Sequence, residues 1–278
     1  MGKWMDLNNL WRGLIMGGVE TVPGVSSGTI AIVLGIYERL IASINGLSTR
    51  EWKKSLAFLI PLVSGIFVAV FSIARVLDWL LDTYPNQLFF FFLGLIIGIV
   101  PFLLKKINYR RSFTGNHYLV LFIFLVFIVW VGWMQEPENA SIIGSMDSSD
   151  YIAIFFLGWV ASSAMILPGL SGSFILLVFG YYETIINALK SVHLPILLTL
   201  IAGIGVGVLI TSKIVHFFLE KFPVGTYAAV IGMVIGSVFV VFPGIPPGAG
   251  GLIASLLAAF AGLIIAYLLG EVEYNENP

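Results

Sequence analysis

Two short runs bring proline, glycine and small hydroxylated residues together inside otherwise apolar sequence: residues 23–28 (PGVSSG) and 168–173 (PGLSGS). After each Pro-Gly pair, Pro23-Gly24 and Pro168-Gly169, the chain enters a new half-helix through small residues. These are Ser26, Ser27, Gly28 and Thr29 in the first run, and Ser171, Gly172 and Ser173 in the second. A helix start offers unpaired N–H groups and a partial positive charge, and small hydroxyls add donors without blocking approach. The chemistry within reach is the holding of an anion, a phosphate or a carboxylate. The alternative is that the breaks only kink two helices and the small residues pack helix against helix.

The two runs are one motif used twice. At a constant offset of 145 residues, Ile30 matches Ile175, Val33 matches Val178, Gly35 matches Gly180, Tyr37 matches Tyr182 and Glu38 matches Glu183. The match resumes at an offset of 138, with Gly65 and Gly203, Arg75 and Lys213, Asp82 and Glu220, Pro85 and Pro223, Gly94 and Gly232, and Gly98 and Gly236. The chain was built by doubling, and each half opens with a broken apolar segment. Paired broken helices are the best sequence pointer to a transporter's binding site.

Composition sets the solvent. Of 278 residues, 59% are hydrophobic and 10% charged, with a mean hydropathy of +1.01. That much apolar surface requires lipid. The net charge of −1 suggests neither nucleic acid nor a polybasic tether. Cysteine is absent, which removes thiol chemistry and disulfides. His117, His193 and His216 form no i, i+4 pair, so neither a metal site nor a cofactor is expected. The first residues lead into apolar sequence without a small-residue cleavage site and read as mature protein.

Six segments are long enough to cross a bilayer: 56–80, 87–104, 117–134, 195–219, 226–243 and 250–269. Stretches 13–45 and 152–189 are each two apolar arms around a break, either a re-entrant hairpin or one kinked span. If both are hairpins, nearly all Lys and Arg fall on one side, which is then cytoplasmic, and the acidic linker 135–151 lies outside. Crossing spans satisfy that rule less well. The expected fold is therefore an all-α integral membrane protein, an inverted repeat of two units (12–134 and 152–270). Each unit is a hairpin plus three spans, with both termini cytoplasmic and the two hairpin tips meeting near the midplane.

Ionisable residues within apolar segments are the second clue, because burying charge in a membrane is costly. Glu20 lies three residues before Pro23 and has Met165 as its repeat mate. It suits a proton or sodium carrier, a hairpin cap or an acid-base group. Arg75 falls ~28 Å along its span, near the outer face, and Lys213 lies toward the inner face by inversion. Two pairs, Glu183 with Arg75 and Glu38 with Lys213, are expected as outer and inner gates. Snorkelling of both cations to the interface is the competing reading.

The stretch GGVETVPGVSSGTIAIVLGIYERLI resembles the signature of a prokaryotic polyprenyl-phosphate translocase family. That family commonly reads like A-D-x-V-P-G-V-S-G-G-T, so Glu20 replaces an aspartate and Ser27 a glycine. The resemblance covers essentially the whole chain. It implies retrieval of undecaprenyl phosphate from the outer to the cytoplasmic leaflet of the plasma membrane, with a lipid substrate and no catalysis. Undecaprenyl-pyrophosphate phosphatases are also similar in outline, with E-x-x-P-x-S-S-S-G-H and P-G-x-S-R-S-G motifs. Here Thr29 stands in place of the histidine and Gly172 in place of the arginine, so the reactive partners are missing. A carrier of other anions is the remaining alternative.

Overall fold

The structure, a computed structural model, describes residues 6–20, 26–72, 74–134 and 147–276. Among them every regular element is helical. The first half contains α1 (Asn8–Glu20), α2 (Ser27–Val33), α3 (Tyr37–Gly46), α4 (Trp52–Ser72), α5 (Ala74–Thr83), α6 (Pro85–Lys106), α7 (Tyr109–Ser112) and α8 (Gly115–Trp133). The second contains α9 (Ser148–Ile166), α10 (Gly172–Val178), α11 (Tyr182–Lys190), α12 (Leu194–Lys221), α13 (Pro223–Val241) and α14 (Gly248–Glu276).

Local chemistry explains the boundaries. Proline opens α6 and α13 at a position where a missing N–H costs nothing. Thr114 with His117, and Asp147 with Asp150, form reciprocal caps at the starts of α8 and α9. The turn after each short half-helix needs a left-handed residue, and glycine supplies it: Gly35 at φ 68° and Gly180 at φ 75°. At the first of these turns, α2 and α3 diverge by 119°.

Seven helices are long and apolar enough to cross a bilayer. Six correspond to the expected spans. The seventh is α9, the first arm of the stretch 152–189, which begins at Ser148 and runs 19 residues. The expected span 56–80 falls on α4 and α5, on either side of residue 73, and its mate α12 runs for 28 residues.

Packing follows the repeat. Within each half α1 lies along α4, and α9 along α12. Across the halves the partners are exchanged, α6 with α14 and α8 with α13, while α6 and α13 also touch each other. The atomic contacts recur at the sequence offset. A Cβ on Gly94 would run into the carbonyl oxygen of Ala259, and one on Gly232 into that of Leu121. Likewise Gly65 faces the Leu10 carbonyl and Gly203 the Phe155 carbonyl. Without a hydrophobic force between helices in lipid, such backbone approach is what holds a membrane bundle together. At the centre lies α2, with residues 28–33 all buried, against α6, α9 and α14. Large apolar side chains on α8 and α14 face outward, as lipid contact requires.

Candidate functional site

The two motifs meet. Ser26 caps α2 from an extended conformation (φ −95°, ψ 137°), its hydroxyl accepting from Gly28 N–H at 3.2 Å. The same hydroxyl donates to the Leu167 carbonyl of the other half at 3.3 Å. Three residues past the cap, the Thr29 hydroxyl accepts from Gly169 N–H at 2.9 Å. Ser26 and Thr29 are each 1% exposed. Backbone N–H and C=O groups freed by the second break are thus satisfied by side chains of the first, as backbone at membrane depth must be.

Close approach demands the glycines. A Cβ on Gly28 would sit 2.9 Å from the Ile166 carbonyl. Gly169, at φ +84°, would place one 2.8 Å from the Met233 carbonyl of α13. In the second motif Ser171 occupies the equivalent cap position with nearly the same backbone (φ −99°, ψ 135°). Its hydroxyl bonds to Ser173 at 2.8 Å, and α10 has no side-chain cap. Pro168, Gly169, Ser171 and Gly172 are buried, Ser27 is half-buried and Ser173 is exposed. Pro23 and Gly24 lie outside the described residues, as do the side chains of Glu20 and Arg75.

Charged residues are arranged differently from the expected pairs. Glu38 forms an ion pair with Lys106 at 3.3 Å and also accepts from the Tyr227 hydroxyl. Lys106 in turn stands 5.6 Å over the Tyr227 ring. The expected Glu38–Lys213 pair is therefore replaced by Glu38–Lys106. Lys213 is exposed on α12, ~100° around the helix from the fully buried Ser212. Glu183 and Lys213 are both exposed, and neither takes part in the four ion pairs among the described residues. Next to Glu38, Arg39 reaches Asp6 at 3.1 Å and lies over the Phe58 ring at 4.8 Å. Lys106 and Tyr227 carried no signal as motifs. Their trace in the sequence is a departure from the repeat, since their mates are Gly244 and Phe89.

A bundle of lipid-length helices, doubled in sequence and in contacts, with two small-residue breaks joined at its centre, defines a multi-pass membrane protein of internally repeated type. The chain belongs to the undecaprenyl phosphate translocase-like family, which it matches over residues 16–246. It is 42% identical over 277 residues, 97% of either chain, to a polyprenyl-phosphate transporter of Staphylococcus aureus (strain NCTC 8325 / PS 47). It is 34% identical over 260 residues, 87% of this chain and 80% of the relative, to a polyprenyl-phosphate transporter of Vibrio cholerae serotype O1. No solved structure matches the chain.

Proposed function

We propose that this protein carries a polyprenyl phosphate, undecaprenyl phosphate foremost, from the outer to the cytoplasmic leaflet of a prokaryotic plasma membrane, without cutting it. The observation that carries the reading is similarity over 97% and 87% of the chain to two polyprenyl-phosphate transporters, in a chain whose repeated Ser/Gly motifs join at the centre. The phosphate is held between the two hairpin tips by donors at Ser26–Thr29 and Ser171–Ser173, while the prenyl tail stays in lipid beside the repeats. The halves are inverted, so each tip enters from its own side, and both termini are cytoplasmic. In the present arrangement Ser26 and Thr29 are engaged with Leu167 and Gly169. Phosphate entry therefore exchanges tip–tip hydrogen bonds for tip–phosphate ones. Thr29 and Gly172 stand where the phosphatases carry histidine and arginine, which leaves a cradle that lacks that imidazole and a cation for the leaving oxygens. A dianion at the midplane is costly, so a proton or sodium ion accompanies it, with Glu20 as its carrier.

Binding tests the site. Polyprenyl phosphate added to the purified protein at a hundred times its Kd should stabilise it by about 2.7 kcal/mol. The corresponding prenyl alcohol should not, and Ser27→Ala with Ser173→Ala should abolish most of the gain. Equal stabilisation by phosphate and alcohol would mean that only the tail is bound, and would refute the tip site.

A further inference from the structure

The two halves share sequence and backbone at their breaks, yet they are packed very unequally. Val33 is 2% exposed and its mate Val178 is 37% exposed; Leu34 is 7% exposed and its mate Phe179 is 59% exposed. Ile41 is fully buried whereas Ile186 is only half-buried. Neighbours differ in the same sense. The half-helix α2 packs on α1, α3, α6, α9 and α14, while α10 packs on α9 and α11 of its own half. The arm α3 lies along α12, but the repeat-related packing of α11 on α4 is not formed to any comparable extent among the described residues. One hairpin is seated in the bundle and the other hangs at its edge.

The Glu38 cluster sits at the seated end. Glu38 belongs to α3, Lys106 to the last turn of α6 and Tyr227 to α13, so three elements of both halves converge on one carboxylate. Among the described residues the loose end shows no such cluster. Glu183 is present, but Gly244 and Phe89 take the places of Lys106 and Tyr227. Symmetric repeats with one asymmetric tie have a built-in preference for one of two mirror arrangements.

We propose that Lys106 and Tyr227 are positioning residues that latch Glu38, seat the α2–α3 hairpin in the bundle, and close the protein at that end. Release of the latch lets α2–α3 take the loose position that α10–α11 holds now, while α10–α11 becomes seated. The joined tips then open to the opposite leaflet. On the proposed orientation the latched end is cytoplasmic, and this structure is the state loaded from outside. The inference rests on the transport reading for what the exchange accomplishes, but not for the exchange itself.

The chain has no cysteine, so single reporters can be placed directly. A nitroxide at Leu34→Cys or Phe179→Cys in the full-length protein, reconstituted in vesicles, reports collisional access to oxygen and to a water-soluble nickel chelate. With the latch intact, the label at 34 should be immobile and shielded and the label at 179 accessible. A half-exposed ion pair together with a charge-assisted hydrogen bond supports on the order of a tenfold bias. Lys106→Met should therefore raise the released population seen at 34 by about two- to fivefold and lower access at 179. Tyr227→Phe, which removes the charge-assisted hydrogen bond, should do so at least as strongly. Lys106→Arg should stay near wild type, and Glu38→Lys with Lys106→Glu should restore shielding that either single variant loses. Unchanged access at 34 in Lys106→Met would overturn the latch. So would loss of shielding that the charge swap does not rescue, since a purely structural role would give that result. If the labels exchange as expected but no variant moves polyprenyl phosphate, the latch stands and the transport reading falls.

Discussion

Thr29→Val isolates the contact that joins the two motifs. Valine keeps the β-branched shape and nearly the same helix propensity, so neither a cavity nor a change in helix stability confuses the result. What is lost is the acceptor for Gly169 N–H, now bonded at 2.9 Å across 140 residues with Thr29 1% exposed. A buried donor stripped of its partner costs about 1–3 kcal/mol in water-soluble proteins. Side-chain bonds measured within membranes average about 0.6 kcal/mol with a maximum near 1.7, because the reference state also finds partners. Gly169 cannot easily find another. It is buried at φ +84°, and an added Cβ would come within 2.8 Å of the Met233 carbonyl, so its backbone has little room to turn. We therefore expect a loss of about 1–2 kcal/mol, measured by reversible unfolding in detergent. Amide exchange at Gly169 should accelerate by about five- to thirtyfold, the same energy expressed as a rate. Thr29→Ser, which keeps the oxygen, should retain protection at Gly169 even though it loses a methyl group worth about 0.8 kcal/mol. Wild-type stability together with undiminished Gly169 protection in Thr29→Val would refute the reasoning.

Two further predictions concern the frame around the site. Gly94→Ala and Gly232→Ala should each cost about 1–3 kcal/mol by overpacking, and by similar amounts, because each pushes a Cβ against a backbone carbonyl at the repeat-related place. Gly205→Ala in α12, with no atom near the new Cβ, should be neutral or stabilise by up to about 1 kcal/mol; unfolding in detergent separates the three. Thr114→Ala removes the reciprocal cap with His117 at the start of α8 and should lower stability by about 1 kcal/mol in the same assay.

Much of this was legible in the sequence, because the signals were local or doubled. Apolar runs set by bilayer thickness marked six of the seven long helices, and Pro168-Gly169 followed by Ser171 marked the break between α9 and α10. The offset pairs Gly65–Gly203 and Gly94–Gly232 anticipated helix crossings that the structure repeats contact for contact. The partner of Glu38 was not legible. Pairing it with Lys213 assumed that the repeat governs charge as it governs glycine, whereas the cation used, Lys106, has a glycine as its mate. Nor could hydropathy place the start of α9 at Ser148, which the reciprocal Asp147–Asp150 cap sets in polar sequence ahead of the apolar run. The unequal seating of α2 and α10 was not legible either, since both positions carry the same Pro-Gly-x-Ser signal in equally apolar sequence.

The central claim is that these joined tips move a lipid phosphate across the bilayer intact. It is tested most directly by reconstituting the protein in vesicles loaded on one leaflet with polyprenyl phosphate, then following both its arrival on the other leaflet and the release of inorganic phosphate from added polyprenyl pyrophosphate. Protein-dependent translocation, altered by an imposed proton or sodium gradient and accompanied by no phosphate release, is the predicted result. Phosphate release without translocation, or uptake of a water-soluble anion while the lipid stays where it was loaded, would contradict it.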